Sequence, residues 1–208
     1  MNLILDIGNS RAKISVFNKG DVIFTIPLEE ITPGNIQMLK EEHPSLNQAI
    51  LSTTRDVSPD LKKYLTSNFD TFIELDAETP LPIENLYQTK KTLGKDRIAA
   101  VTGAYDLYPN TNVLVIDAGA AITFDIINDK GQYLGGNISP GLEMRYKALH
   151  HFTGRLPLIE KNDFENLYGR TTEEAIRAGV QHGIVFETDK AIETFKEFYK
   201  NLKVIITG

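Results

Sequence analysis

The sequence predicts an α/β protein made of two related lobes, residues 1–110 and 111–208. Two observations predict it. Short apolar runs bounded by turn residues alternate with helix-periodic segments along the whole chain. A strand–turn–strand–turn frame also recurs after 111 positions, which sets Asp6 on Asp117, Gly8 on Gly119, Lys19 on Lys130 and Gly20 on Gly131. Four matches inside one frame point to an internal duplication.

The first lobe opens with a strand at Leu3–Ile7, stopped by Gly8-Asn9-Ser10. Polar and apolar residues alternate from Lys13 to Phe17, as in a half-buried strand. Asn18-Lys19-Gly20-Asp21 supplies hairpin chemistry before a third strand at Val22–Ile26. Thr32-Pro33 and Ser58-Pro59 each place a cap before a proline at the first helical position. Strands follow at Ala49–Ser52 and Phe72–Leu75. The stretch from Asp76 to Thr92 is polar and weakly periodic, and reads as a loop over a cleft. A helix over Gly94–Leu107 turns Ile98, Val101 and Tyr105 to one side.

The second lobe repeats the opening. Val113–Ile116 runs into Asp117-Ala118-Gly119, Ile122–Ile127 is the next strand, Asp129-Lys130-Gly131 the next turn, and Tyr133-Leu134 begins a third strand. Helices are expected over Leu142–His151 and from Thr172 to about Tyr199, the latter capped by Thr171 or Thr172. Val204–Ile206 is a last strand.

Composition narrows the function classes. Apolar residues make up 41% of the chain, enough for a core, and net charge is −6. That balance argues against a nucleic-acid groove and against a polybasic membrane patch. With no cysteine, disulfides and thiolate metal sites are excluded. No apolar run reaches the ~18 residues of a membrane span. Nor does the N-terminus read as a signal peptide, so a cytoplasmic protein is the expectation.

Five segments carry candidate chemistry. In Asp6-Ile7-Gly8-Asn9-Ser10-Arg11-Ala12-Lys13 a turn after a buried strand leaves backbone N–H groups free, and Gly8 permits close approach of a phosphate. Asp6 is a hard oxygen ligand suited to Mg²⁺, and Lys13 a point charge within reach. The same residues are also ordinary hairpin chemistry. The second copy, Asp117-Ala118-Gly119-Ala120-Ala121, favours phosphate binding, because two such turns can hold one polyphosphate across a cleft. Asp96 in Gly94-Lys95-Asp96-Arg97 is either a proton acceptor or a helix-dipole carboxylate with Arg97 pairing on the surface. Gly135-Gly136-Asn137-Ile138-Ser139-Pro140-Gly141 is either a backbone wall against a nucleotide or a tight strand-to-helix turn. Tyr168-Gly169-Arg170-Thr171-Thr172 offers hydroxyls at a helix start, which a plain cap would also explain.

Taken in order, these motifs resemble the type III pantothenate kinases. The matching set is Asp6-x-Gly8-Asn9-Ser10-x-x-Lys13, Gly94-x-Asp96-Arg97, Asp117-x-Gly119-x-Ala121-x-Thr123-x-Asp125, Gly135-Gly136-x-Ile138-x-Pro140-Gly141 and Gly169-x-x-Thr172. The resemblance implies an actin-like fold of two ribonuclease-H-like lobes with mixed sheets and an interlobe cleft. It implies ATP-dependent phosphorylation of pantothenate to 4'-phosphopantothenate, the first step of coenzyme A synthesis. By that likeness Asp6, Ile7, Gly8, Asn9, Ser10, Arg11, Ala12, Lys13 and Ala120 bind ATP, and Asp96 is the general base. Tyr87, Gly94, Lys95, Asp96, Arg97 and Thr172 would contact pantothenate. Asp117 would hold a monovalent cation, K⁺ or NH₄⁺, alongside Mg²⁺, in a homodimer. Two departures stand out: Ala120 replaces a common threonine, and family members continue past Gly208, so the second lobe is expected to lack its last helix. Both motivate the alternative of a non-catalytic regulator with the same fold.

Overall fold

A computed structural model describes residues 1–8 and 12–208. Three of the expected ATP contacts, Asn9, Ser10 and Arg11, lie outside the described residues. The chain divides into two compact units, Met1–Pro80 with Thr89–Ala99, and Leu81–Gln88 with Ala100–Gly208.

The first unit is a five-stranded mixed sheet. Strands β1 (Asn2–Ile7), β2 (Ala12–Asn18) and β3 (Asp21–Leu28) form an antiparallel meander, and β4 (Gln48–Thr53) and β5 (Thr71–Glu74) add in parallel, giving the order β3-β2-β1-β4-β5. The hairpin Lys19-Gly20 has positive φ at both positions, 52° and 96°, the primed turn that the twist of a two-residue hairpin favours. Helices α1 (Pro33–Glu42) and α2 (Pro59–Asn68) start where the caps predict. The Thr32 hydroxyl accepts from the Asn35 backbone N–H while the Asn35 side-chain Oδ1 accepts from the Thr32 N–H, a closed capping box. Ser58 accepts from the Leu61 N–H. Alternation sends Leu3, Leu5 and Ile7 of β1 and Ala12, Ile14 and Val16 of β2 into the core, with Ile36, Leu39, Leu61 and Leu65 from the helices. The same alternation leaves Asp6 on the opposite face.

The second unit repeats this plan. Strands β7 (Val113–Ala118), β8 (Ala121–Ile127) and β9 (Gln132–Pro140) form the meander, and β10 (Lys203–Thr207) lies parallel to β7. The outer edge of β9 carries a two-residue parallel strand, β6 (Glu84–Asn85). β6 and a 3-10 turn at Lys90–Thr92 both fall in the stretch the sequence presents as loop. Helix α3 (Lys95–Leu107) begins in the first unit and ends in the second. Its buried positions include Ile98, Val101 and Ala104, with Tyr105 half-buried beside Gly131. The 27-residue helix α5 (Thr172–Phe198) lays Ile184, Ile192 and Phe195 against Leu114, Ile116, Phe124 and Ile126. Helix α4 (Leu142–Phe152) joins it through Tyr146, Ile176 and Val180. Among the described residues no helix is long and apolar enough to cross a membrane.

Candidate active site

In the first unit the site grows from the end of the β1–β2 hairpin. Asp6 lies directly opposite Lys13 across the strands, so a cation faces the carboxylate without reaching from elsewhere. The C-terminal end of β1 is tied to its neighbour by the Thr54 N–H, which donates to the Ile7 carbonyl at 3.0 Å. Asp6 is exposed by surface area, yet surrounding protein still strips water from its carboxylate. That desolvation pushes its pKa above the ordinary value; Lys13 opposes the shift, and the negative charge of Asp96 adds to it. Two carboxylates therefore share one electrostatic neighbourhood in this unit, although 90 positions separate them in the chain.

Asp96 occupies the second position of α3 and is exposed. Its Oδ1 accepts the Arg97 N–H at 2.8 Å, the helix-terminus bond expected of a first-turn acid. Gly94 makes room for it: a Cβ at 94 would stand 2.4 Å from that oxygen. Arg97 is only 5% exposed, so it is not the surface partner that the helix-dipole reading expects. Lys95 is half-buried beside it.

In the second unit Asp117 is the second-last residue of β7, paired with Thr123 on β8 and Thr207 on β10. The following turn is tighter than its counterpart. Four residues separate the paired Ile7 and Ala12, and three separate Ala118 and Ile122. The Gly119 N–H donates to the Ala121 carbonyl at 3.0 Å, and Ala120 is exposed at the tip. A cavity of about 360 Å³ opens beside it, lined in part by Gly119, Ile122, Leu142, Gln181 and Ile184.

Gly135 and Gly136 lie inside β9, so they do not form the strand-to-helix turn; Pro140-Gly141 makes the junction with α4. Gly135 has φ +118° beside a register shift, and its missing side chain lets the Tyr87 ring approach to 3.5 Å of an ideal Cβ. Tyr87 stacks on Tyr133, with centroids 6.0 Å apart and planes 13° from parallel. The Tyr133 hydroxyl donates to Asp125 at 2.7 Å, and Asp125 is 1% exposed. This buried acid–phenol pair is a support that sequence reasoning missed; the signal was a lone carboxylate inside the apolar run Ile122–Ile127. Thr171 caps α5 by accepting the Glu174 N–H, which leaves the exposed Thr172 free of that duty.

The family model described as type III pantothenate kinase matches residues 2–194. A Bacteroides fragilis protein named type III pantothenate kinase is 42% identical over 208 residues, spanning all of this chain and 85% of its own length. One from Phocaeicola vulgatus is 43% identical, with 100% and 86% covered. This chain belongs to the type III pantothenate kinase family. It is an enzyme that transfers a phosphoryl group from ATP to pantothenate, in coenzyme A synthesis. Among solved structures, one from Campylobacter jejuni assigned to the Baf family of transcriptional activators is 26% identical, with a TM-score of 0.53 over 99% of this chain and 90% of that one. A Listeria monocytogenes protein described as an N-acetylmannosamine kinase is 14% identical, with a TM-score of 0.53 over 99% and 82% of the two chains. That likeness shows the fold, an actin-like α/β arrangement. The sequence relatives at about 40% identity over the whole chain are kinases by name, which does not favour a non-catalytic regulator.

Proposed function

We propose that Asp96 is the general base of pantothenate phosphorylation and that the Asp6–Lys13 turn receives the ATP phosphates. The observation that carries this reading is the electrostatic proximity of Asp6 and Asp96, which joins a phosphate-turn carboxylate to a helix-start carboxylate. The pantothenate hydroxyl oxygen forms a bond to the γ-phosphorus, the bond from that phosphorus to ADP breaks, and the hydroxyl proton passes to Asp96. Asp96 suits the task because it is exposed, and because the Arg97 N–H engages one oxygen and leaves the other able to accept. Lys13 balances negative charge at the turn. Ala120 offers ATP a backbone N–H where relatives commonly offer a hydroxyl. Tyr87, Gly94, Lys95, Arg97 and Thr172 are assigned to pantothenate.

The residues fit the expected ions. Asp6 is partly desolvated and has Asp96 as a like-charged neighbour besides Lys13, and carboxylate oxygen is a proper Mg²⁺ ligand. Nothing larger than a hydrogen stands at Gly119 beside Asp117, whose carboxylate would take K⁺ or NH₄⁺. Among the described residues no cluster of three or more His, Asp or Glu is arranged to hold a metal; Asp6 and Asp117 are assigned to the ions, with phosphate and water oxygens as further ligands. Bound cations would neutralise charge developing on the transferred phosphoryl oxygens. The enzyme is read as a cytoplasmic homodimer.

Steady-state kinetics of Asp96→Asn test the assignment. We expect kcat to fall by roughly 10²–10⁴ with little change in the KM for ATP. Full activity in that variant would remove Asp96 from the role.

A further inference from the structure

From Ala118 to Ala121 the second turn has no side chain larger than a methyl group, so it cannot hold itself in place through side-chain bonds. The β9–α4 junction supports it, and α5 holds that junction in turn. The Gly141 N–H donates to the Ala120 carbonyl at 3.2 Å. The fit is close: a Cβ on Gly141 would lie 2.4 Å from the Ala120 oxygen and 2.5 Å from the Gly119 oxygen. Gly141 follows two residues held by one guanidinium. Arg145 Nε donates to the Pro140 carbonyl at 2.8 Å, and its Nη2 donates to the Ser139 hydroxyl at 2.9 Å. The same Nη2 pairs with the Glu187 carboxylate on α5.

We infer that Arg145 is a positioning residue: it ties the β9–α4 junction to α5 and, through Gly141, sets where the Asp117–Ala120 turn meets its ligand. This rests on the reading of that turn as a phosphate and cation site. The arrangement is built for the task. One planar cation serves three acceptors from β9 and α5, and the Arg145 side chain is only 20% exposed, so the bonds are partly shielded from water. Burial raises the Glu187 pKa, but bonds from Ser139 and Arg145 outweigh it and hold the carboxyl below its ordinary value, so the pair stays charged at neutral pH. A lysine could keep the charge but not the fork that spans Ser139, Pro140 and Glu187.

The test pairs kinetics with amide hydrogen exchange. Arg145→Gln is expected to raise the KM for ATP roughly tenfold and to speed exchange at residues 118–121, with the KM for pantothenate changed less than about twofold. Arg145→Lys should recover part of both effects. Unchanged exchange at 118–121, or an equal rise in both KM values, would overturn the positioning role. Should Arg145→Gln fail to fold, Ser139→Ala removes one acceptor of Arg145, and its own bond to Glu187, while leaving both partners of the Arg145–Glu187 pair in place. It is expected to raise the KM for ATP about threefold, and no change there would overturn the inference. Asp117→Asn separates the two ideas. If it leaves ATP and K⁺ dependence untouched, the ligand reading of the turn falls, and the exchange rates alone then judge Arg145.

Discussion

Asp6 is held in the folded chain with its pKa raised, chiefly by desolvation, and this sets a sign for stability. The folded state binds the Asp6 proton more tightly than the unfolded state does. Its contribution is therefore most favourable below the ordinary value of 3.8 and is lost as pH climbs through the raised pKa. At neutral pH the charged carboxylate is a stability cost. Asp6→Asn should raise the thermal midpoint at neutral pH, show no such gain below about pH 3, and abolish ATP binding by calorimetry. A lower midpoint at neutral pH would contradict the electrostatic account. The adjacent threonines of α5 separate in a similar way. Thr171 carries the cap bond and Thr172 does not, so Thr171→Ala should cost about 1 kcal/mol in urea unfolding. Thr172→Val should leave that midpoint nearly unchanged and raise the KM for pantothenate. Equal destabilisation by both would merge the two roles.

At the scale of elements, β9 shows what pattern alone misses. The Gly135-Gly136 pair looks like turn chemistry, yet both residues lie within a strand. Gly136 is needed because a Cβ there would stand 2.0 Å from the Phe124 carbonyl oxygen and 2.7 Å from Asp125 Oδ1. Gly136→Ala should therefore destabilise the protein by about 1–3 kcal/mol, read from denaturant unfolding, and loosen the Tyr133–Asp125 bond. An unchanged midpoint would mean that the strand yields more easily than its packing implies. Strands β1 and β7, the hairpin at Lys19-Gly20 and the caps of α1 and α2 were legible because each is specified by neighbours in sequence. Strand β6 was not. Two residues carry no periodicity, and its pairing with β9 joins segments 48 positions apart, from Glu84 to Gln132.

Across the whole molecule the duplication is topological as well as sequential. Each unit orders its meander and first parallel strand alike, β3-β2-β1-β4 and β9-β8-β7-β10. The 111-position offset carries β1 onto β7 end to end and the start of β3 onto the start of β9. The homodimer reading belongs at this scale: sedimentation equilibrium should give twice the 23.3 kDa chain mass, and a monomer at assay concentrations would refute it.

The sequence by itself determined the α/β alternation, the repeated Asp-x-Gly turns, the helix caps and the ordered motifs of the family. These are local chemistry, set by strand and helix periods and by which residues tolerate a turn. Only the tertiary structure decided that Asp96 charges the surroundings of Asp6, that Tyr133 serves a buried Asp125, and that Arg145 ties Ser139 and Pro140 to Glu187. Such pairs join different elements, so their energies depend on distance and on excluded water. Neither quantity exists until the sheets and helices pack.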